Sequence, residues 1–435
     1  MINSSLPHES RQALISSQVV TFWTVSKLKS SSDALHPTPP CEIIGAILSN
    51  LDHPRHLLSA LLICHHFYTS FKETPGIFSS ILRNQLTPAL VPLSVSLVEA
   101  SRLPRPLEET TVLALLDELY NTPTHLVSRL PVSTLPVDVL QKMSRTHEAI
   151  HAMTTKFATS ALDCISPANG SSSPVVNLSP GEYFRFCRAF YRLELFYILF
   201  RGKTGEFWDE TTASRLFFSR NPIWENEQLF SVYDFLNHQF GEASREVAAH
   251  DIVMGEFDVD YLSSGSDNIW RQSWLSSGVK FVFKLTLTKT YEEKYKLFRT
   301  VHCQTYRDFP EAIIYTVPDW DIGLTVGEYP LEIFLEDSQS QDPDPGPFET
   351  WRKIHLDDIL DGIIGIYSNQ WLRLRGYVFW DQARIHKFPK EYWVGETIPD
   401  CTLEEFEEMR ESWKERSKLW LMGREGYWSK DGESR

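Results

Sequence analysis

The alternation of apolar and polar residues predicts a chain built mainly from helices, and the densest apolar stretch lies near its N-terminus. Between residues 35 and 86, apolar residues recur at offsets of one, three and four, the spacing of a wide stripe on one helix face. The first helix is expected after Pro40, because a first turn does not need the N–H that proline lacks. Pro54 disfavours helical geometry at His53 and ends the first helix before it. A second helix is expected to begin near Pro54, with Asp52 as its N-cap.

This stretch holds more apolar surface than three short helices can hide. A unit of about fifty residues buries only about 60% of the surface of its unfolded chain, so some side chains stay exposed unless a partner covers them. We predict that residues 35–86 form a docking module, in which the contact residues are Pro40, Ile43, Ile44, Ile47, Leu48, Leu51, Pro54, Leu57, Leu58, Leu61, Ile63, Cys64 and Phe67. The alternative is that all of them pack beneath later helices of one large domain.

Residues 87–307 are expected to form a large, irregular helical region. Four prolines between residues 87 and 106 predict a connection at its start. Apolar periodicity then predicts helices over residues 107–120, 135–162 and 181–200, and a capped helix from Asn221 and Pro222 to Gly241. Residues 181–200 are apolar on most sides, which is typical of a helix at the centre of a fold. Residues 270–301 fit a strand or helices, and the composition of their flanks favours helices.

Three segments lack helical periodicity. Residues 1–34 are expected to be a flexible leader, and the Ser, Pro, Asn and Gly cluster of residues 166–180 a mobile surface loop. Residues 308–349 contain eleven Asp or Glu and no Lys or Arg, which predicts an extended acidic connector. This connector is either a solvated loop or a landing site for a basic partner.

The C-terminal region, residues 350–435, is expected to be helical and rich in aromatic residues. Large aromatic side chains and arginines alternate over residues 371–384. Trp, Tyr and Arg are enriched in binding hot spots, but a core in which Arg pairs with acidic neighbours explains the same residues, and we favour the core. A charged helix over residues 403–421 is predicted to close the chain, with a frayed tail after Gly423.

Composition narrows the classes of partner. The formal net charge of -15 argues against nucleic acid or anionic lipid, because binding to either depends on Lys and Arg. Six scattered cysteines without a C-x-x-C pair argue against a zinc module or a disulfide framework, and they suit a reducing compartment. No run reaches the roughly 18 apolar residues of a membrane helix, so no membrane span is expected.

Sequence motifs for catalysis are incomplete. Residues 202–204 resemble the end of a phosphate-binding loop, but Tyr197 stands where its first glycine is needed. His302 and Cys303 are neighbours that point to different faces and would need partners from elsewhere in the chain. His355 lies beside two aspartates and is expected on a solvated helix face. We therefore predict no enzyme activity, no cofactor and no metal.

The docking module resembles the F-box, a three-helix motif that binds the Skp-family adaptor of cullin-RING ubiquitin ligases. The resemblance rests on Pro-x-Glu-Ile-Ile at 40–44, Ile-Leu-x-x-Leu at 47–51, Pro-x-x-Leu-Leu at 54–58 and Ile-Cys-x-x-Phe at 63–67. It departs from the usual pattern at Pro39, where leucine is common, and at Phe67, where tryptophan is more common. Four histidines, at positions 53, 56, 65 and 66, stand where fixed charges are frequent. We favour solvent-exposed helix residues for them, and the alternative is a docking surface whose polar rim is weaker or sensitive to pH near 6.5.

A second resemblance lies near the C-terminus. The stretch Gly-Tyr-Val-Phe-Trp-Asp at 376–381 is similar to stretches in uncharacterised fungal proteins that carry an F-box near the N-terminus. Repeats of 20 to 50 residues, which carry the target in better-known F-box proteins, are absent from the sequence.

The resemblance implies a mainly α protein with an N-terminal F-box-like module, acting as a substrate-receptor subunit of an SCF-type ubiquitin ligase. Its implied partners are the Skp-family adaptor, a cullin scaffold bound through that adaptor, and a target protein, in the cytoplasm or nucleus. A second hypothesis is an interaction protein outside any ligase, in which the motif completes a helical core. A third is an enzyme of unfamiliar helical fold that uses His302, Cys303 or His355.

Overall fold

The computed structural model describes residues 39–163, 176–200, 210–257, 259–263, 268–300, 309, 342–357, 369–395 and 401–430. These residues are mostly helical and contain no strand, which confirms the mainly α prediction. The expected leader, the expected loop over residues 166–175 and most of the expected acidic connector lie outside them. The chain forms two compact units, one from residues 1–91 with 130–144 and the other from residues 92–129 with 145–435.

The smaller unit contains four short helices where the sequence predicts three. In chain order they are α1 (Cys41–Ser49), α2 (Pro54–Leu61), α3 (His65–Glu73) and α4 (Ile77–Gln85). Gly76 separates the last two with a φ of 83°, a left-handed conformation that glycine adopts without strain. The Asn84 side chain of α4 donates to the carbonyl of Ser49 at 2.9 Å, so the fourth helix holds the end of the first.

His53, rather than Asp52, is the N-cap of α2. Its Nδ1 accepts a hydrogen bond from the backbone N–H of Arg55 at 3.0 Å. Because Pro54 occupies the first helical position, the extended residue before it takes the cap position, and Asp52 lies one residue too early. The Asp52 carboxylate instead contacts His56 Nδ1 at 2.9 Å.

The remaining helices belong wholly or mainly to the larger unit. They are α5 (Val91–Arg102), α6 (Glu109–Asn121), α7 (Pro123–Arg129), α8 (Val137–Asp163), α9 (Pro180–Phe200), α10 (Glu210–Phe217), α11 (Ile223–His250), α12 (Ile269–Leu275), α13 (Val279–Leu287), α14 (Tyr291–Arg299), α15 (Gly346–Arg352), α16 (Gln370–Leu374), α17 (Gln382–Ile385) and α18 (Leu403–Leu421). The helices predicted over residues 107–120, 135–162, 181–200, 270–301 and 403–421 are confirmed.

Two predicted boundaries are wrong. Residues 91–102 form α5 instead of a connection, because Pro92 falls in the first turn, where its missing N–H costs nothing. α11 continues past Gly241 to His250, and its N-cap is Pro222 without a side-chain cap. The Asn221 side chain donates back to the carbonyl of Phe217 at the end of α10.

The expected frayed tail after Gly423 is also wrong. The N–H of Ile252 donates to the carbonyl of Gly426 at 3.0 Å, and the N–H of Trp428 donates to the carbonyl of His250 at 2.8 Å. The His250 ring stacks on Tyr427 with ring centroids 4.8 Å apart. The segment 424–430 is therefore paired with the end of α11.

Aromatic side chains fill the core of the larger unit around α9. Phe157 of α8 stacks on Phe235 of α11 with centroids 4.4 Å apart, and Phe186 of α9 stacks on Phe379 at 4.0 Å. Residues 377–380 are fully buried, which agrees with the core interpretation of the C-terminal aromatic stretch. The chain enters that stretch through Gly376, whose φ is 64°.

Buried ion pairs tie distant parts of the chain to α9. The Arg185 guanidinium donates to Asp342 at 2.6 Å, to Asp381 at 2.8 Å and to the carbonyl of Phe379 at 2.8 Å. Phe309 is buried as well and stacks on Tyr233. Phe309 is thus held by packing and the Asp342 carboxylate by an ion pair, while most of the expected connector lies outside the described residues and stays a prediction.

Asp342→Asn is expected to lower the free energy of unfolding by about 1.5 to 3 kcal/mol at pH 7, the usual range for a hydrogen bond to a charged group. Burial alone would raise the pKa of Asp342, but Arg185 outweighs burial and holds the pKa below its ordinary value. The stabilisation is therefore present above about pH 4 and is lost as pH falls through the folded pKa.

Urea titrations at pH 7 and pH 3 test this expectation. The difference between wild type and Asp342→Asn should shrink at pH 3. Asp117→Asn is the control, because its ion pair with Arg220 is half exposed and contributes about 1 kcal/mol or less. An Asp342→Asn difference that is equal at both pH values would contradict the assignment.

Candidate functional site

The helix α1 of the smaller unit is apolar on two neighbouring faces. Ile44 and Leu48, one turn apart, are buried, whereas Ile43 and Ile47 are each 53% exposed. Gly45 is also buried, and a Cβ there would lie 2.5 Å from Thr74 Oγ1, so a larger residue at position 45 would require Thr74 to move. The close approach of Thr74 is consistent with the 44/48 side facing inward.

Helix α2 and the turn after it divide in the same way. Leu57 is buried, whereas Leu58 is 48% exposed, Leu62 45% and Ile63 68%. Leu58 and Leu62 are four residues apart, which places them one above the other. We call the five exposed residues Ile43, Ile47, Leu58, Leu62 and Ile63 the docking face.

The exposed apolar residues of the docking face are concentrated in one short stretch of the sequence. Within the described parts of the chain, twelve large apolar side chains are exposed, and five of them fall between residues 43 and 63. Single exposed apolar residues are ordinary on soluble proteins, but grouped ones mark interaction surfaces. The smaller unit thus presents a surface suited to an apolar partner.

The predicted contact residues occupy three environments. Pro40, Ile43, Ile47, Leu58, Ile63 and Cys64 are exposed; Leu51, Pro54, Leu61 and Phe67 are partly buried; Ile44, Leu48 and Leu57 are buried. The buried three belong to the core and are not accessible to a partner in this conformation. Leu62 belongs to the face but not to the predicted set, although its spacing of four residues from Leu58 was a signal for it.

Histidines and charges border the docking face. Asp52 contacts His56, and this hydrogen bond holds the pKa of the fully exposed Asp52 carboxyl below its ordinary value. His66 Nε2 lies 2.6 Å from the carbonyl oxygen of Pro39, which ties α3 to the start of α1. His65 Nδ1 lies 3.3 Å from the Thr69 hydroxyl. The rim is therefore polar and organised by short-range contacts.

The candidate catalytic residue His355 lies in the core, so its predicted position on a solvated face is wrong. It is buried, with Nε2 2.8 Å from the Tyr377 hydroxyl, which in turn donates to Glu227 at 2.9 Å. The reason is the neighbouring Trp351, whose ring stacks on His355 and packs that side of the helix inward. His302, Cys303 and residues 202–204 lie outside the described residues.

The described residues hold neither a metal site nor a membrane-spanning helix. Among the described residues, no group of three or more His, Cys, Asp or Glu is arranged to hold a metal ion. None of the described helices is long and apolar enough to cross a membrane. No protein-family model, curated protein or solved structure matches this chain. The docking face and the order of residues that forms it are the features of the described chain that point to a function.

Proposed function

We propose that the protein is a receptor subunit that binds a Skp-family adaptor through the docking face and presents a target protein to an SCF-type ubiquitin ligase. The exposure of Ile43, Ile47, Leu58, Leu62 and Ile63 is the observation that carries this proposal. The partner is proposed to be a Skp-family adaptor because the order of residues over 40–67 resembles the F-box. Ubiquitin transfer itself belongs to other subunits of the ligase.

The energetics of the docking face are compatible with a complex. Full burial of a Val, Leu, Ile, Phe or Met side chain contributes about 1.5 to 3 kcal/mol, and the five residues here are roughly half exposed. Covering all five then contributes roughly 4 to 8 kcal/mol, within the range of about 4 to 15 kcal/mol that association costs. Because this contribution offsets only the lower part of the association cost, a stable complex also needs contacts from the polar rim and Phe67.

The double variant Ile47→Asp with Leu58→Asp is expected to weaken adaptor binding at least a hundredfold. Each change removes an apolar contact and places a charge in a surface that becomes desolvated, and 1.4 kcal/mol corresponds to a tenfold change. Both side chains are half exposed in the free protein, so folding should be retained. Binding of the full-length chain to purified adaptor is measured by biolayer interferometry.

The matched control is Leu287→Asp with Val394→Asp, two exposed apolar residues of the larger unit. It should bind the adaptor like wild type. Thermal unfolding of both variants establishes that each is folded. A folded docking-face variant with wild-type affinity would refute the proposed surface.

A second candidate function is an interaction protein that uses the same docking face outside any ligase. The same exposed side chains support it, because grouped apolar residues mark interaction surfaces whatever the partner. If wild type does not bind the purified adaptor, the ligase proposal fails. Partners recovered with wild type but not with the docking-face variant would then identify the alternative.

A further inference from the structure

A groove in the larger unit lies between α11 and α18, far along the chain from the docking module. Its cavity volume is about 600 Å³, within the range of about 300 to 1,000 Å³ that ligand pockets occupy. The sides are rigidly placed: Gly255 lies against the backbone of α18, where a Cβ would come within 2.7 Å of the Arg416 carbonyl carbon. The Ser412 hydroxyl of α18 also donates to the carbonyl of Ala249 at 2.9 Å.

Glutamates from both helices line the groove. Glu242 and Glu246 are one turn apart on α11, while Glu408, Glu411 and Glu415 follow one face of α18. The cations in the lining are Arg245 and Lys430, fewer than the five carboxylates, and Lys418 outside the lining pairs with Glu415 at 2.5 Å. The charge that the groove presents therefore depends on which carboxylates are left unpaired.

Some of these carboxylates are already neutralised and others are not. Glu246 pairs with Lys294 at 3.0 Å, and Glu411 pairs with Lys430 at 3.3 Å. Within the described part of the chain, no cation lies within 4.0 Å of Glu242 or Glu408. These two carboxylates, one on each side, are available to an incoming cation.

An aromatic wall provides a second feature, independent of charge. Trp428 lines part of the groove, and its backbone makes two contacts with His250: the Trp428 backbone N–H donates to the His250 carbonyl, and the Trp428 backbone carbonyl lies 2.9 Å from His250 Nδ1. Tyr261 forms another part of the lining. Aromatic faces bind the apolar stems and cationic heads of Lys and Arg, while carboxylates pair with the heads.

We propose that this groove binds a lysine- and arginine-rich peptide segment of a partner protein. The volume of the groove accommodates one or two long side chains. Its unpaired carboxylates suit the cationic heads of Lys and Arg, and its aromatic side chains suit their apolar stems. The site is separate from the docking face, and its occupation does not depend on a ligase. If both proposals hold, the basic segment belongs to the target protein.

The test is a fluorescence anisotropy titration of the full-length protein with a labelled peptide of sequence GKRGKRG in 150 mM salt. Glu242→Gln with Glu408→Gln is expected to weaken binding about tenfold, since each lost ion pair contributes a fraction of that factor. Tyr261→Ala should weaken binding without changing the charge. The acidic peptide GEEGEEG is expected not to bind.

The control separates site binding from general attraction to an acidic protein. Glu404→Gln with Glu407→Gln removes the same two charges from exposed positions of α18 outside the groove, and should leave affinity within twofold of wild type. Equal weakening by both pairs would overturn the proposal in favour of non-specific attraction. Lack of saturable binding by wild type up to millimolar protein would overturn it as well.

Discussion

Arg373→Met is expected to lower the free energy of unfolding of the larger unit by about 3 to 5 kcal/mol, the range measured when one member of a buried ion pair is removed. Arg373 is fully buried, with Nε 2.5 Å from Asp234 and a second nitrogen 3.7 Å from Glu227. Its guanidinium also lies over the ring of Phe230 at 4.6 Å. Methionine leaves two carboxyl groups buried without their cation.

The effect should depend on pH in a defined direction. Burial already raises the pKa of Asp234, although Arg373 opposes it. Without Arg373, the charged form of Asp234 becomes even more unfavourable in the folded state. Protonation of Asp234 removes the free-energy cost of burying that charge. The deficit relative to wild type is therefore expected to be smaller at pH 5 than at pH 8.

Urea unfolding followed by tryptophan fluorescence measures the deficit at both pH values. Arg352→Met is the control, because its ion pair with Glu349 is about 40% exposed on both sides and contributes about 1 kcal/mol or less. A loss for Arg373→Met no larger than that of the control would show that the buried carboxyl groups do not require their cation.

Phe157→Ala is the second change with a large expected effect, about 3 to 5 kcal/mol. Phe157 is fully buried and joins α8 to the centre of the larger unit: it stacks on Phe235 and meets the rings of Phe186 and Phe379 edge to face at 5.2 and 5.8 Å. Truncation removes these contacts and leaves a cavity that a packed aromatic cluster fills poorly.

Phe406→Ala is the matched control, since Phe406 is 37% exposed on α18. It should change the urea midpoint little, whereas Phe157→Ala should shift it strongly with an unchanged slope. Comparable midpoints for the two variants would contradict the central position assigned to Phe157.

The sequence predicts the helices well where apolar periodicity is strong, as over residues 181–200, since that signal is local. The prediction from sequence fails where one residue type is compatible with two local structures. Prolines between residues 87 and 106 indicate a break, yet Pro92 fits the first turn of α5 equally well. Long-range pairs such as Arg185 with Asp342 leave no local pattern, so the segment 308–349 is predicted only by its charge.

The docking face illustrates the same limit at the level of single residues. The sequence identifies the stretch but not which side of it faces outward, because Ile43 and Ile44 are equally apolar. Which side faces inward depends on tertiary packing, such as the close approach of Gly45 to Thr74, 29 positions further along the chain. The groove between α11 and α18 has no sequence signal either, since its glutamates come from distant helices.

The discontinuity of the smaller unit has a consequence for its synthesis. The Gln85 side chain of α4 accepts a hydrogen bond from the Ser144 hydroxyl at 2.8 Å, and residues 130–144 belong to the same unit as residues 1–91. At about 5 to 20 residues per second, the ribosome needs roughly 3 to 10 s to extend the chain from Val91 to Ser144. During that interval the nascent helices lack the contacts made by residues 130–144, so the apolar surface that these residues cover stays exposed until they are synthesised.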